Sequence, residues 1–556
     1  MDSKIQDPQC LRIGIDLDNT IISYENIFHS IAKNHFLIKE SENIKNDLRS
    51  FLRSKKNGEI EWQKVQADVY GKYILKAKLF EGVYRFLYRA KINGHKIFII
   101  SHKTRFSSCD KTVNLRKAAT EFLEGKEILN KSFQLFDELI YSNTRAEKIS
   151  EINRLGLDFF IDDLQEVLND HKFNNNTCKI LFGKPSVDST LTSFEFWGEI
   201  ESYILGNISK EEIQIISNKL NLIPPNNLEK YHSGLNSSTW GFTKKSKKFV
   251  LKVYSENKAN FSRRDNEYSA LKLLASNNFR NIPKLIYTNE KFGFSVISHI
   301  ENTNQVLLDD KNLNKVIVFI KSLKNLSKKL PNFDLASDAC ISGQDIVDQI
   351  QRRLNILLNV SSTSTNMNNF LRCKFLPTFD KIVEFSKKNW PKNYSFDQQI
   401  NKNLLLLNPS DIAAHNMIEN RDLFFIDFEY FGYDDPVKTV SDFLLHPKNK
   451  LNSVLIKKWI SETELIFKKD DPDFSQRFKA SWPLYGLCWV LIFLKEFDPN
   501  SWTIRKHFKS FKGIDKDYVK FKQLAKAEHL LDYIRLSYKN FPNKRVWIKD
   551  LKNSEN

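Results

Sequence analysis

At 556 residues the chain exceeds the roughly 100–200 residues that one core usually organises, so two or three domains are expected. Hydrophobic residues make up 41% and aromatics 13%, which excludes a disordered chain. The formal charge of +18 comes from Lys and Arg scattered along the sequence without a long basic block. It is read as the balance of a soluble basic protein rather than as a nucleic-acid tract.

Six cysteines (Cys10, Cys109, Cys178, Cys340, Cys373 and Cys488) lie far apart with no CxxC pair. Together with the lack of a leader-like segment, this points to reduced thiols and a cytoplasmic protein. The most apolar stretch, "ASWPLYGLCWVLIFL" at 480–494, is too short to span a bilayer and contains Pro483. It is expected to be a buried helix, so no membrane partner is expected.

In chain order, residues 11–17 read as a strand, and helical patterns fill 24–93. "KIFII" (96–100), "DFFIDD" (158–163) and "KILFG" (179–183) read as further strands. Strands separated by helices predict a parallel sheet with its ligand site at the carboxyl ends, where Asp16, Ser101 and the pair Asp162–Asp163 fall. After 205 a helical stretch runs to about 220 and "NLIPPNN" (221–227) punctuates the chain, which places a domain boundary there. "SSTWGFTKK", "KFVLKVY" and "FGFSVISHI" then suit an antiparallel sheet. From 311 the pattern is mostly helical, broken by "LLLL" and "LFFIDF", and "SSTSTNMNN" (361–369) is expected as a surface loop.

The first constellation is weighed against the needs of phosphate removal. A phosphatase working through an aspartyl-phosphate needs a carboxylate nucleophile, a nearby acid/base, donors for the phosphate oxygens and a cation. In "DLDNT", Asp16 is the candidate nucleophile and Asp18 the acid/base partner. Ser101 after "IFII" could bond a phosphate oxygen, and Lys148, fourteen residues before Asp162, could neutralise the phosphate and Asp16. Asp162, with Asp16 and Asp18, would complete an oxygen-lined Mg²⁺ site. Arg145 and Lys111 compete with Lys148 for its place.

This order of DxDxT, strand-borne Ser, Lys and strand-borne Asp-Asp resembles the haloacid dehalogenase-like phosphohydrolase superfamily over about residues 9–205. The resemblance implies a Rossmann-like sheet, Mg²⁺, phosphomonoester hydrolysis and a helical cap over about 21–95. Asn19 stands where many members carry Gly.

The second constellation is weighed against the needs of phosphoryl transfer. Transfer from ATP needs a loop over the phosphates, a lysine for the α/β-phosphates with an acid to orient it, a catalytic Asp and metal ligands. "SGLNSSTWGF" (233–242) offers Gly234, Asn236 and Ser237 as a small-residue turn over ATP phosphate. "FVLKVY" places Lys252 on the next strand, and Glu267 on a following helix could pair with it. "NPSDIAAHNMI" gives Asp411 and, five positions on, Asn416, and "LFFIDFEYFGYDDP" gives Asp427 eleven residues later. That is the kinase-type order of base and metal ligands. Glu429, Asp434 and Asp435 could contact a cationic acceptor or cap the next helix.

These residues resemble the aminoglycoside phosphotransferase and choline/ethanolamine kinase superfamily over about 228–540, with "IDFEY" and "YDDP" most like its choline kinase-like branch. The resemblance implies an α+β two-lobed kinase-like fold, with an N-lobe over about 228–302, an ATP hinge near Ile297–Glu301 and a C-lobe over about 303–556. Asp411 would be the base, and Asn416 and Asp427 would hold Mg²⁺. Pro409-Ser410 replaces the usual His-Gly before the base.

The sequence thus predicts an α/β phosphatase domain (1–205), a linker (206–227) and a kinase-like domain (228–556). The expected activity is bifunctional: kinase and phosphatase acting on small metabolites such as sugars or amino alcohols. Nucleic-acid end healing is the alternative. The kinase of such enzymes normally uses GxxxxGK[ST], which is missing, and "GKPS" (183–186) has the wrong surroundings. A non-catalytic regulatory domain is the third reading, opposed by the retention of Asp16, Asp18, Asp162, Asp411, Asn416 and Asp427.

Overall fold

In the computed structural model the described residues are 10–34, 44–129, 134–184, 190–222, 228–233, 237–254, 263–301, 306–330, 332–360, 364–498 and 515–539. The chain divides into two units. Unit 1 comprises Met1–Leu228, Val253–Asn260 and Asn289–Phe294, and unit 2 comprises Glu229–Lys252, Phe261–Thr288 and Ser295–Asn556.

Unit 1 carries strands β1 (Arg12–Ile15), β2 (Ile22–Ser23), β3 (Lys78–Leu79), β4 (Lys96–His102), β5 (Glu138–Ser142), β6 (Phe159–Asp162), β7 (Cys178–Phe182) and β8 (Thr192–Phe194). Six of them form a sheet in the order β5-β4-β1-β6-β7-β8, and every neighbouring pair is parallel. The parallel sheet expected from the alternation of strands and helices is present, and the structure adds β5 and β8 to the four strands read from the sequence. "ELIYS" is half-buried and "TSF" has three residues, so neither has the continuous apolar run of a central strand.

The centre of the sheet is apolar on both faces. Ile13, Ile15, Ile97, Ile99, Phe160 and Ile161 are fully buried. Gly14 has no room for a side chain, since a Cβ there would lie 2.4 Å from Leu157 and 2.7 Å from Phe160. The register sets Ile15 beside both Ile99 and Ile161, so Asp16, Ser101 and Asp162 emerge together at the carboxyl edge. The β2–β3 pair is antiparallel and brackets helices Glu25–Asn34, Ile44–Arg53 and Gly58–Ala67. The helix at Val83–Ile92 lies beyond this pair in sequence, and residues 206–227 contain a further helix, Lys210–Lys219, with Ile213 and Ile216 buried.

The second sheet has the order β12-β13-β11-β10-β9. Its strands are β9 (Glu229–Ser233), β10 (Ser237–Lys244), β11 (Lys247–Tyr254), β12 (Leu285–Asn289) and β13 (Phe294–Ser298), and β9 and β10 pair antiparallel. Helix Arg263–Ser276 follows β11 in sequence.

The rest of unit 2 is helical around two small antiparallel pairs: β14 (Leu406–Asn408) with β17 (Gly432–Asp434), and β15 (Met417–Asn420) with β16 (Asp422–Phe425). Helix Phe474–Phe493 is buried along most of its length and contains Pro483, as expected of an interior helix. No helix of the described residues is long and apolar enough to cross a membrane. The stretch expected as a surface loop at 361–369 differs: Thr365–Asn369 is helical, because Met367 is drawn fully into the core.

Candidate active sites

In unit 1, Thr144 caps helix Arg145–Leu155 by accepting the Glu147 amide, and the next residue, Lys148, is buried against the sheet. Its Nζ donates to Asp16 Oδ1 at 2.5 Å and to Asp162 Oδ2 at 2.6 Å. The sequence therefore converges as read at three of its positions, and Arg145 is engaged elsewhere, with Glu166. Burial raises the Asp16 pKa well above the usual range against the pull of Lys148, with Asp162, Asp163 and Asp18 adding to the rise. Burial opposes charge on Lys148, yet its two acids hold its pKa above the ordinary value.

The carboxylates that gather around Asp16 differ from the expected set. Asp16, Asp162 and Asp163 present oxygens within 4.8 Å of one another. Burial and the adjacent Asp162 push Asp163 up to about 7. Asp18, expected as the third ligand, has its carboxylate taken by Tyr24 Oη at 2.5 Å and by Lys103 Nζ at 2.8 Å. Ser101 is 1% exposed, and its Oγ has no hydrogen-bond partner among the described residues. Asn19 takes φ 61°, the left-handed geometry a Gly would adopt.

Tyr24 and Lys103 are site residues that sequence reasoning did not pick. Lys103 was findable: it lies two positions beyond Ser101, where side chains of an extended segment share a face. Tyr24 and Tyr70 come from the segment between β2 and β3, and Lys103 Nζ sits 5.3 Å over the Tyr70 ring.

In unit 2, Lys252 on β11 is buried and donates to Glu267 Oε2 at 2.7 Å and to Asp427 Oδ1 at 2.8 Å. Three residues spread over 175 positions thus meet at one ammonium. Asp427 has φ 69°. Burial opposes its ionisation, but Lys252, together with His415 and Arg263, outweighs this and the pKa is lowered.

Asn416 Nδ2 donates to Asp411 Oδ2 at 3.0 Å and to the Asp411 carbonyl at 3.1 Å, which closes the loop between them. Burial, reinforced by Asp427, raises Asp411 to about 7. Ser410 takes φ 64°, with its amide on Asn408 Oδ1 at 2.9 Å. The backbone thus reaches the glycine-like conformation without glycine. Gly234 and Asn236 lie outside the described residues; Ser237 begins β10.

The carboxylates after Asp427 divide by surroundings. Asp435 caps helix Pro436–Leu445 through the Val437 amide and pairs with Arg477. Asp434 is fully buried and accepts the amides of Cys340 and Asp435. The second oxygen of Asp434 faces Lys438 Nζ at 3.3 Å. Glu429 is buried, with Arg263 at 3.9 Å.

No family model matches the chain. No curated protein matches it either. Among solved structures it is similar to aminoglycoside phosphotransferase APH(2'')-Ib with ADP bound (16% identity, TM-score 0.36, covering 59% of this chain and 99% of the other). It is also similar to the choline kinase of Cryptosporidium parvum (14%, TM-score 0.40, covering 60% and 99%). The choline kinase LicA of Streptococcus pneumoniae gives 14% identity and a TM-score of 0.38, covering 58% of this chain and 100% of the other.

Proposed function

We propose that this chain is an ATP-dependent kinase that phosphorylates a hydroxyl of a small metabolite, a sugar or an amino alcohol, with the chemistry in unit 2. The observation that carries the reading is the Lys252 ammonium held by both Glu267 and Asp427, in the same unit as the bonded pair Asp411–Asn416. In this reading Lys252, oriented by Glu267, binds ATP phosphates, and Asp411 accepts the proton of the acceptor hydroxyl. The carboxylate of Asp427 and the amide oxygen of Asn416 are hard donors that suit Mg²⁺. Bound there, the cation would neutralise phosphate charge. The kinase domain would span 228–556, with Gly234, Asn236 and Ser237 over the phosphates.

A second activity, phosphomonoester hydrolysis in a Rossmann-like domain (1–205) with a cap over about 21–95, is favoured by a separate observation. Lys148 ties Asp16 to Asp162 at the sheet edge, and Ser101 Oγ, without a hydrogen-bond partner among the described residues, is a donor suited to a phosphate oxygen. Asp16 would attack phosphorus to form an aspartyl-phosphate as the ester P–O bond breaks, and Asp18 would protonate the leaving oxygen and then take a proton from the water that releases phosphate from Asp16. The oxygens of Asp16, Asp162 and Asp163 fit a hard divalent cation, which would screen the phosphate from these acids.

The test is a metabolite screen with ATP and Mg²⁺ on Asp16→Asn and Asp411→Asn variants of the full chain. ATP-dependent product formation should survive the first and vanish in the second, and phosphate release from esters should behave oppositely. Product formation that ignores Asp411 would overturn the kinase assignment.

A further inference from the structure

His446 lies just past helix Pro436–Leu445, in a segment that sequence reading left without a role. Its Nε2 faces Asp411 Oδ1 at 3.5 Å. The opposite ring nitrogen, Nδ1, accepts the Lys448 amide N–H at 3.1 Å. A neutral imidazole has one N–H and one lone pair. With the lone pair committed to Lys448, the proton belongs on Nε2, the nitrogen on the Asp411 side of the ring.

The ring is held in place from several sides. It stacks on His415 (5.1 Å between centroids, 22°) and meets the edge of Trp489 (4.9 Å, 81°). Trp489 is itself fixed by its Nε1 bond to Asp442 at 2.9 Å. Asn449 then ties this segment to the Asp411 loop, accepting the Ala414 amide at 2.9 Å and donating to the Phe443 carbonyl at 2.8 Å. Burial lowers the His446 pKa to about 3, in keeping with a neutral ring.

Resting on the kinase reading of unit 2, we propose that His446 is a positioning residue for the base. The Asn416 amide bonds one oxygen of Asp411, and the Nε2–H of His446 stands beside the other, ready to hold it so that the remaining lone pairs point to the acceptor hydroxyl. The 3.5 Å separation is of the kind that tightens when a catalytic complex assembles. Asp411, His415 and His446 also present ligand atoms within 4.8 Å of one another, as a transition-metal site would. Ligation by Nε2 would require its proton on Nδ1, against the Lys448 N–H, so the donor role is the one the hydrogen bonding supports.

The test uses full-length His446→Leu, which removes the donor, and His446→Gln, which restores one, with Mg·ATP hydrolysis by water as the assay. The Leu variant should lose about 10- to 100-fold in kcat with KM for ATP within about twofold, and Gln should recover most of the loss. Equal rates in wild type and Leu would overturn the proposal, as would equal losses in Leu and Gln. So would stoichiometric inhibition by Zn²⁺ that disappears in the Leu variant. Should the Leu variant fail to fold, long-range ¹H–¹⁵N correlation on the wild type decides: the proton on Nε2 supports the proposal and on Nδ1 overturns it. If Asp411→Asn hydrolyses ATP as fast as wild type, the kinase reading fails and takes this inference with it. If Asp411→Asn is inactive while His446→Leu is not, only the positioning role fails.

Discussion

Lys252 Nζ lies 2.8 Å from Asp427 Oδ1, joining a strand near the start of unit 2 to a turn 175 residues on. The same ammonium holds Glu267, so one cation organises two acids of the candidate kinase site. Lys252→Met should lower kcat for Mg·ATP turnover by about 10²–10³, the usual consequence of deleting a charge-stabilising donor. Steady-state kinetics on the full chain measure this, and an unchanged kcat would remove Lys252 from the chemistry.

Lys148 is as deeply committed in unit 1, with side-chain exposures of 2% for Lys148, 8% for Asp16 and 0% for Asp162. Replacing it with Ala leaves two buried acids without their cation, which should destabilise the unit by about 3–5 kcal/mol. Urea unfolding at pH 8 should show a clear drop in midpoint. A midpoint equal to wild type would mean that the acids are compensated elsewhere.

Acid should unfold unit 1 through Glu201. Burial opposes its ionisation, but Arg85 and Arg89 outweigh this and lower its pKa below the ordinary 4.5. A carboxylate with a depressed folded pKa contributes stability that is complete above about pH 4.5 and is lost as pH falls through the folded value. Glu201→Gln should therefore be less stable at neutral pH and show a weaker fall in melting temperature below that pH. Parallel curves for variant and wild type would contradict the assignment.

Ser410, at φ 64°, holds the backbone next to Asp411 in a conformation that costs a β-branched residue most. Ser410→Gly should be neutral or slightly stabilising and keep full ATP turnover. Ser410→Val should cost about 1–3 kcal/mol and lower turnover with it. Equal thermal stability of the Val and Gly variants would show that the turn relaxes freely.

Much of this was legible because strand ends follow from apolar runs. Asp16, Ser101 and Asp162 lie at or beside the ends of uninterrupted hydrophobic stretches, and parallel register brings such ends to one edge. Lys252, Glu267, Asp411, Asn416 and Asp427 were readable from their spacing and order. Side-chain partners were less accessible. Asp18 turns to Tyr24 and Lys103 while Asp163 joins Asp16, a choice made by rotamers and packing that spacing does not encode. His446 was invisible for the same reason: its relation to Asp411 depends on a helix end tied back by Asn449. The strands at Glu138–Ser142 and Thr192–Phe194 were missed because partial burial blurs their alternation.

The central claim, that unit 2 transfers phosphate from ATP with Asp411 as base, is tested most directly by comparing wild type and Asp411→Asn for Mg·ATP turnover and for ATP binding. The account predicts a loss of about 10²–10⁴ in kcat with ATP affinity retained, because the substitution removes the proton acceptor and leaves Lys252 and Glu267 in place. Turnover in the variant equal to that of wild type would contradict it.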